Sequence, residues 1–417
     1  MPIKGKVYNL LRKTEKYTKT DNVYIAKGSF WLSLARFGTL LIALAMGMIW
    51  ARFVPQDVYG QYKFILSIAS LLAIFSLSGM KSAVTQAVAR NFAGTVKQAL
   101  KARLRWGMLA LLAGLSLAVY YWVKQDVTLS ISFLIAGLLS PIINSFPLYT
   151  SYLEGKKNFS LKAKLDLAKG FLAALITASV IILTNNTIYL VLVYFSSRSI
   201  LSILFYVITF KQDPIPSQEN SVDKSSLVFG KHLSLMGVLN LVAMQIDKIL
   251  IFHYVGAVQL AIYSFATILP DNLKSVTKSM CQLALPKLST RSAQEIKKTA
   301  FAKTVPWAIL LTSMVALYIA FCPLIFKIFF PTYTGAILYS RIYSLNLLGG
   351  IGLIPGVAFT AKRRTKILYK QNISMAVIKI SILFLSLYFF GLLGLIIAIT
   401  IHNLLNGIVN FILLRYL

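Results

Sequence analysis

Residues 29–64 read SFWLSLARFGTLLIALAMGMIWARFVPQDVYGQYKF: an apolar helix long enough to cross a bilayer, a short polar turn, and the start of a second apolar helix coming back. Shifted by 201 residues without a gap, the stretch meets an echo at 230–265. Leu32-Ser33-Leu34 falls on Leu233-Ser234-Leu235, Leu40 on Leu241, Val54 on Val255, Tyr62 on Tyr263 and Phe64 on Phe265. The turn repeats as well, since RFVPQDVYGQYKF and HYVGAVQLAIYSF share a hydrophobic, turn, aromatic order. The echo divides the chain into halves of roughly 1–210 and 211–417.

Working outward, the whole chain has the same character. Of its 417 residues 57% are hydrophobic and only 13% charged, and its mean hydropathy is +0.72, which excludes a soluble globular protein. A net charge of +31 could suggest nucleic acid, but the basic residues sit between apolar spans and not on a soluble, aromatic-laced face. Only two cysteines, Cys281 and Cys322, and three scattered histidines are present, so neither a disulfide framework, a metal site nor a cofactor is expected. Residues 1–28 read as a basic cytoplasmic arm, without the cleavage site of a signal peptide.

Apolar runs of 18 to 25 residues give twelve spans, near 29–52, 60–80, 104–123, 129–152, 166–184, 187–210, 227–253, 260–285, 304–322, 335–360, 367–389 and 392–415. Alternate connections hold thirty Lys and Arg residues, and the intervening ones hold three, Arg52, Lys124 and Lys327. Because basic residues accumulate on the cytoplasmic side, both termini are expected inside. Six spans separate the two copies, so the repeat is parallel, with its axis along the membrane normal. The expected fold is an all-α polytopic membrane protein of about 12 transmembrane helices in two six-helix bundles, 29–210 and 227–417, joined by a cytoplasmic linker at 211–226. The longer cytoplasmic connections, around 81–103, 211–226 and 286–303, read as basic amphipathic segments lying on the anionic inner leaflet.

Ten basic residues remain inside the spans: Arg36, Lys63, Lys169, Arg198, Lys231, Lys248, Lys274, Lys278, Arg341 and Lys379. A cation at the bilayer centre costs roughly 2.5–3.5 kcal/mol, so such residues need an aqueous cavity or a partner. Lys63, Lys169 and Lys231 lie close enough to an interface to snorkel. Arg198 and Lys379 are near mid-span, Arg36 is two turns into the first span and Arg341 is in the outer third of the tenth; these are candidates for a cavity. Asp271, Lys274 and Lys278 recur at i, i+3 and i+7 and share one face of the eighth span, with a surplus of positive charge. Asp247 and Lys248 are expected to pair, locally or with the opposite half, although Asp247 and Asp271 could also carry a coupling ion. Asn144, Asn403, Asn406, Asn410 and His402 offer packing hydrogen bonds or sugar contacts. Pro141, Pro147, Pro270, Pro306, Pro355 and the glycines at 349, 350 and 352 mark kinks where helices can bend.

A positively charged cavity wants an anionic passenger. Guanidinium forks suit phosphate oxygens and lysines act as point charges. Arg36, Arg198, Lys274, Lys278, Lys379 and Arg341 are therefore the expected substrate-binding residues, for a pyrophosphate or an acidic sugar.

The pattern Ala51-Arg52-Phe53-Val54-Pro55, an acidic Asp57, then Tyr59-Gly60-Gln61-Tyr62, with its second-half partner Gln245-Ile246-Asp247-Lys248 running into Val255-Gly256 and Tyr263, resembles the polysaccharide-exporter branch of the MOP superfamily, home of the Wzx-type flippases. The resemblance covers nearly the whole chain in layout. It implies a flippase, not an enzyme, that moves polyprenyl-pyrophosphate-linked oligosaccharide units, of O-antigen or another surface polysaccharide, across a bacterial inner membrane by alternating access. It also implies a polysaccharide polymerase and a chain-length regulator as partners beside the membrane lipids. Three other readings stay open: a MATE-like cation antiporter, a lipid II flippase and a membrane repeat-unit polymerase. The first usually keeps carboxylates in its N-terminal helices, the second usually has two further helices, and the third needs a large outer loop. No phosphate-cradling G-x-x-x-x-G-K-[ST] segment is present for an ATP-driven pump.

Overall fold

In the computed structural model, which describes residues 22–282, 293–356 and 365–413, helices account for every regular element. In chain order they are α1 (Asn22–Phe53), α2 (Gln56–Leu72), α3 (Met80–Ala89), α4 (Thr95–Val123), α5 (Val127–Ser145), α6 (Leu148–Gly155), α7 (Phe159–Leu183), α8 (Thr187–Gln212), α9 (Lys224–Tyr254), α10 (Ala257–Gln282), α11 (Ala293–Phe329), α12 (Ile337–Ser344) and α13 (Thr365–Leu413). Short 3₁₀ segments at Ala73–Ser76, Ser217–Glu219, Pro331–Ala336 and Leu345–Gly352 complete the path.

Ten helical stretches among the described residues are long and apolar enough to span a bilayer. The last of them, Lys370–Leu413, has 44 residues, and α13 is cut at Gly391, whose φ of 59° and ψ of −150° are not helical. That conformation suits a residue without a Cβ, and it turns one long helix into two spans. α10 has 26 residues and falls outside the ten because its second half carries Asp271, Lys274 and Lys278. Counting both gives the expected twelve.

The chain reverses tightly at 54–55, 124–126, 184–186, 255–256, 330 and 391, all at one end of the bundle; the linker and longer connections lie at the other. At the end away from the linker, the halves meet. Gln56 Nε2 donates to the Thr332 carbonyl at 2.7 Å, and Thr332 Oγ1 donates to the Ala51 carbonyl at 2.5 Å. Beneath them Tyr59 packs on Phe265 at 4.9 Å, Phe265 stacks on Tyr333 at 3.8 Å, and Phe64 stacks on Phe252 at 3.8 Å. These rings join one apolar core that runs through both halves.

At the linker end the structure corrects two expectations. The apolar face of the segment 81–103 packs on protein. Met80, Val84 and Val88 of α3 are buried with Tyr149, Tyr152 and Leu153 in a second core, and Gly79 N–H donates to Ser234 Oγ of α9 at 3.0 Å. Its apolar face has a protein partner, which amphipathic spacing alone does not distinguish from lipid. The linker is likewise docked: Glu219 pairs with Lys156 at 2.5 Å, its carbonyl takes the Gly94 N–H at 3.1 Å, and Asp223 pairs with Arg90 at 2.7 Å. Of the segment 286–303, residues 286–292 lie outside the described residues and the rest begins α11. Similarly, 1–21 of the expected arm lie outside them, while α1 starts at Asn22, inside that arm.

The Ser225 hydroxyl, the Ser226 amide and hydroxyl, and the Arg90 guanidinium together hold the Asp223 carboxyl down at about 2. A depressed folded-state value means stability that is present above the ordinary carboxylate value, near 3.9, and lost as pH falls towards 2. The loss of melting temperature caused by Asp223→Asn should therefore be the same at pH 8 and pH 5 and shrink only below about pH 4.

Candidate functional site

The second half builds one charged group. α10 buries Leu260, Ala261, Phe265 and Ala266 in packing against α2, and the face beyond Pro270 presents Asp271, Lys274 and Lys278 in a stripe. Asp271 and Lys278 are exposed and Lys274 is half-buried. Tyr343 O–H of α12 donates to Asp271 Oδ1 at 3.0 Å. One helix away, Asp247 is buried at 6% exposure and accepts the Tyr263 hydroxyl, while its other oxygen has no partner. The Tyr263 and Tyr343 rings meet edge to face at 6.2 Å, so the two carboxylates are joined through two tyrosines. Lys248 Nζ donates to Gln245 Oε1 at 3.2 Å, and Lys379 Nζ donates to the Ala243 carbonyl of α9. Lys379 lies within electrostatic range of Lys274, and Lys248 within range of Asp271.

Asp247 and Lys248 thus do not pair with each other: successive residues on a helix point about 100° apart, and each finds its partner on its own side. A further correction concerns Lys63. It does not snorkel; its ammonium lies 5.8 Å from the Tyr59 ring centroid and within electrostatic range of Lys248 and Asp271.

The first half builds a second group. Arg198, mid-way along α8, lays its guanidinium 3.8 Å from the ring centroid of Tyr194, one turn back. Lys169 of α7 donates to Ser202 Oγ at 2.6 Å, and that hydroxyl donates to the Arg198 carbonyl at 2.6 Å. Lys169 is therefore also directed inward and not toward an interface. Arg103 joins this group from α4 and was counted in the sequence only as a loop charge. It is 2% exposed and donates through Nη2 to the Asn144 carbonyl at 2.5 Å. That carbonyl belongs to the last turn of α5, where Pro147 blocks continuation and helix carbonyls lack intrahelical donors. Lys162 bridges Glu154 at 3.4 Å and Asp166 at 3.1 Å, and Lys81 lies within electrostatic range of Arg103 and Lys162.

Two expected residues join neither group. Arg36 stays exposed on α1. Arg341 is committed to packing: its Nε donates to the Ile319 carbonyl at 3.1 Å. The asparagines also serve packing, with Asn144 donating to Ser140, Asn403 to Asn346, and Gln371 to Asn406 and Asn410. The glycine-rich stretch of the tenth span is a close-packing site, since Gly349 and Gly352 lie against the backbone of Asn403 and Gly407. A groove of about 460 Å³ between α9 and α13 is lined by Ile246, Leu250, Ile380, Ser381, Phe384 and Leu385.

This architecture is that of known transporters. The chain is similar to the inward-facing conformation of a multidrug resistance MATE family transporter of the MOP superfamily, with a TM-score of 0.60 and 14% identity over 90% of this chain and 97% of that one. It is similar to an outward-facing conformation of such a transporter, with a TM-score of 0.59 and 15% identity over 94% and 95%. A MOP superfamily transporter from Pyrococcus furiosus, described by the reverse polarity of its binding pocket, gives a TM-score of 0.57 and 15% identity over 94% and 95%. At these identities the likeness is one of fold. No curated protein matches the chain. The sequence model of the family described as polysaccharide biosynthesis protein matches residues 25–290, in agreement with the resemblance carried by residues 51–62. The chain is a multi-pass membrane protein with the fold of these transporters, and it belongs to the polysaccharide biosynthesis protein family.

Proposed function

We propose that the protein is a flippase for polyprenyl-pyrophosphate-linked oligosaccharide, carrying repeat units of O-antigen or another surface polysaccharide from the inner to the outer leaflet of a bacterial cytoplasmic membrane. The observation that carries this reading is the stripe of half-buried Lys274 and exposed Lys278 on α10, with Lys63, Lys248 and Lys379 gathered about it and only Asp247 and Asp271 to offset them. Five cations in a membrane interior are stabilised by an anionic passenger, and a diphosphate is compact and doubly charged enough to meet them. The polyprenyl tail can run in the apolar groove between α9 and α13.

A drug antiporter fits less well, because a cationic drug is repelled by such a surplus. The reversed pocket polarity described for the Pyrococcus furiosus transporter supports a change of passenger within this fold. The duplicated halves at 29–210 and 227–417 then rock about the docked linker, with both termini in the cytoplasm. The aromatic seal of Tyr59, Phe265 and Tyr333 parts in the outward-open state. Polymerase and chain-length regulator act on the delivered units.

Deleting the protein in its host tests the reading. Loss of surface polysaccharide, with complete single units stranded on the cytoplasmic leaflet, supports it. Single units that reach the outer leaflet unjoined would indicate a polymerase, and unchanged polysaccharide with accumulating cationic dye an antiporter.

A further inference from the structure

The basic side chains inside the bundle form two groups with α2 between them. Tyr62 and Lys63 are neighbours on that helix and point to different groups. Tyr62 stacks on Trp50 at 4.5 Å, meets Tyr194 edge to face at 5.8 Å and lies within range of Arg198, whereas Lys63 faces Lys248 and Asp271. The first-half group is Lys81, Arg103, Lys162, Lys169 and Arg198 against Glu154 and Asp166. The second-half group is likewise five cations against two carboxylates. Each therefore carries a surplus of three positive charges.

One diphosphate can neutralise one group only. The surplus of the other, whose Arg103 is buried and whose Arg198 and Lys169 are half-buried, calls for a second anionic centre on the same passenger. The first-half group is built differently from the lysine stripe. The face of the Arg198 guanidinium is taken by Tyr194, which leaves its edge for hydrogen bonding, and its Nη1 is buried without a partner. Lys169, beside it, is fixed by Ser202. In Arg103, Nε and Nη1 are also buried without partners. A planar guanidinium edge with free donors is matched by a carboxylate, which takes two parallel N–H bonds.

Resting on the flippase reading above, we propose that the transported glycan bears a carboxylate sugar, a uronic-acid type of residue. Arg198 and Lys169 bind its carboxylate while the lysines of α10 hold the diphosphate. Tyr194 is a positioning residue that orients the guanidinium. The passenger thus spans both halves across α2, and a glycan with no carboxylate leaves one group unmatched.

The test uses the full chain in proteoliposomes and two synthetic probes with the same polyprenyl pyrophosphate, one carrying a glucuronic-acid-containing trisaccharide and the other its glucose counterpart. The rate at which the sugar becomes accessible on the opposite leaflet should be at least about tenfold higher for the acidic probe. That ratio should fall to near one in Arg198→Gln and in Lys169→Gln, fall partly in Tyr194→Leu, and recover in Tyr194→Phe, which keeps the ring. Equal rates for the two probes in the unaltered protein overturn the carboxylate proposal and leave the flippase reading standing. A ratio unchanged by both Arg198→Gln and Lys169→Gln overturns the assignment to this group. If neither probe moves, the flippase reading falls and this proposal falls with it.

Discussion

Exchange of Lys274 and Lys278 together for glutamine should lower transport of a lipid-linked pyrophosphate oligosaccharide about a hundredfold or more, with protein abundance in the membrane unchanged. The size follows from the chemistry, since a hydrogen bond to a charged group contributes about 1.5–3 kcal/mol and each 1.4 kcal/mol is tenfold. Abundance should hold because the two ammonium groups lie in a region of surplus positive charge, where Asp271 is already engaged by Tyr343. Removing them relieves repulsion and leaves no carboxylate newly unpaired. Lys231→Gln, at an exposed position near the start of α9, is the control and should transport normally. Full transport by the double variant, measured with membrane abundance matched, would remove the α10 stripe from the site.

The second large effect is on folding. Gly60 lies where α2 crosses the start of α10, and a Cβ there would stand 1.9 Å from the Ala257 carbonyl oxygen. The neighbour is backbone and cannot turn aside as a flexible side chain would, so Gly60→Val must push the two helices apart. Overpacking typically costs 1–3 kcal/mol and occasionally more. The displaced surface here includes the ring contacts of Tyr59 with Phe265, which join the halves. The variant should be lost from the membrane or melt well below the unaltered protein in detergent. Gly170→Ala, whose Cβ would sit 3.8 Å from Ile42 Cδ1 in ordinary contact, should melt normally. Equal melting of Gly60→Val and the unaltered protein would show that the α2 and α10 crossing is not held this closely.

Gly60 also shows how far the sequence reaches. It stands in the Tyr-Gly-Gln-Tyr run of the opening stretch, visible as a glycine in a transmembrane helix, yet the Ala257 backbone it faces is 197 positions away in the chain. Hydropathy was enough for the spans because bilayer thickness sets their length, and the tight turns at 54–55 and 255–256 sit where the apolar runs end. It was even enough for α10, despite its charges, because the runs on either side required a crossing there.

The site was less legible. The stripe at 271, 274 and 278 announced itself by helical spacing, and Arg198 by its depth in α8. Lys63 and Lys169 were assigned to the interface because depth along one helix was the only coordinate available. Lys63 lies over the Tyr59 ring and within range of Lys248 and Asp271 on other helices, and Lys169 donates to Ser202 of α8. A signal was present for the first-half group: Lys162, Asp166 and Lys169 recur at i, i+4 and i+7 on α7, and Tyr194 stands one turn before Arg198. Arg103 had none. Its place in a run of basic residues gave it to the loop, and its burial depends on the break between α5 and α6. Arg341 shows the converse, a charge at the right depth whose donor is taken by a backbone carbonyl.

The central claim is that the cationic interior carries a lipid-linked anion between leaflets, and the most direct measurement is transbilayer movement itself. Purified protein in proteoliposomes is given a polyprenyl-pyrophosphate-linked oligosaccharide, and the fraction of sugar reaching the opposite leaflet is followed against protein-free vesicles and against Lys274→Gln with Lys278→Gln. Movement that requires the protein and is nearly abolished in the double variant is the predicted result. Movement no faster than in protein-free vesicles, in a preparation that carries a cationic dye across the same membrane, would contradict it.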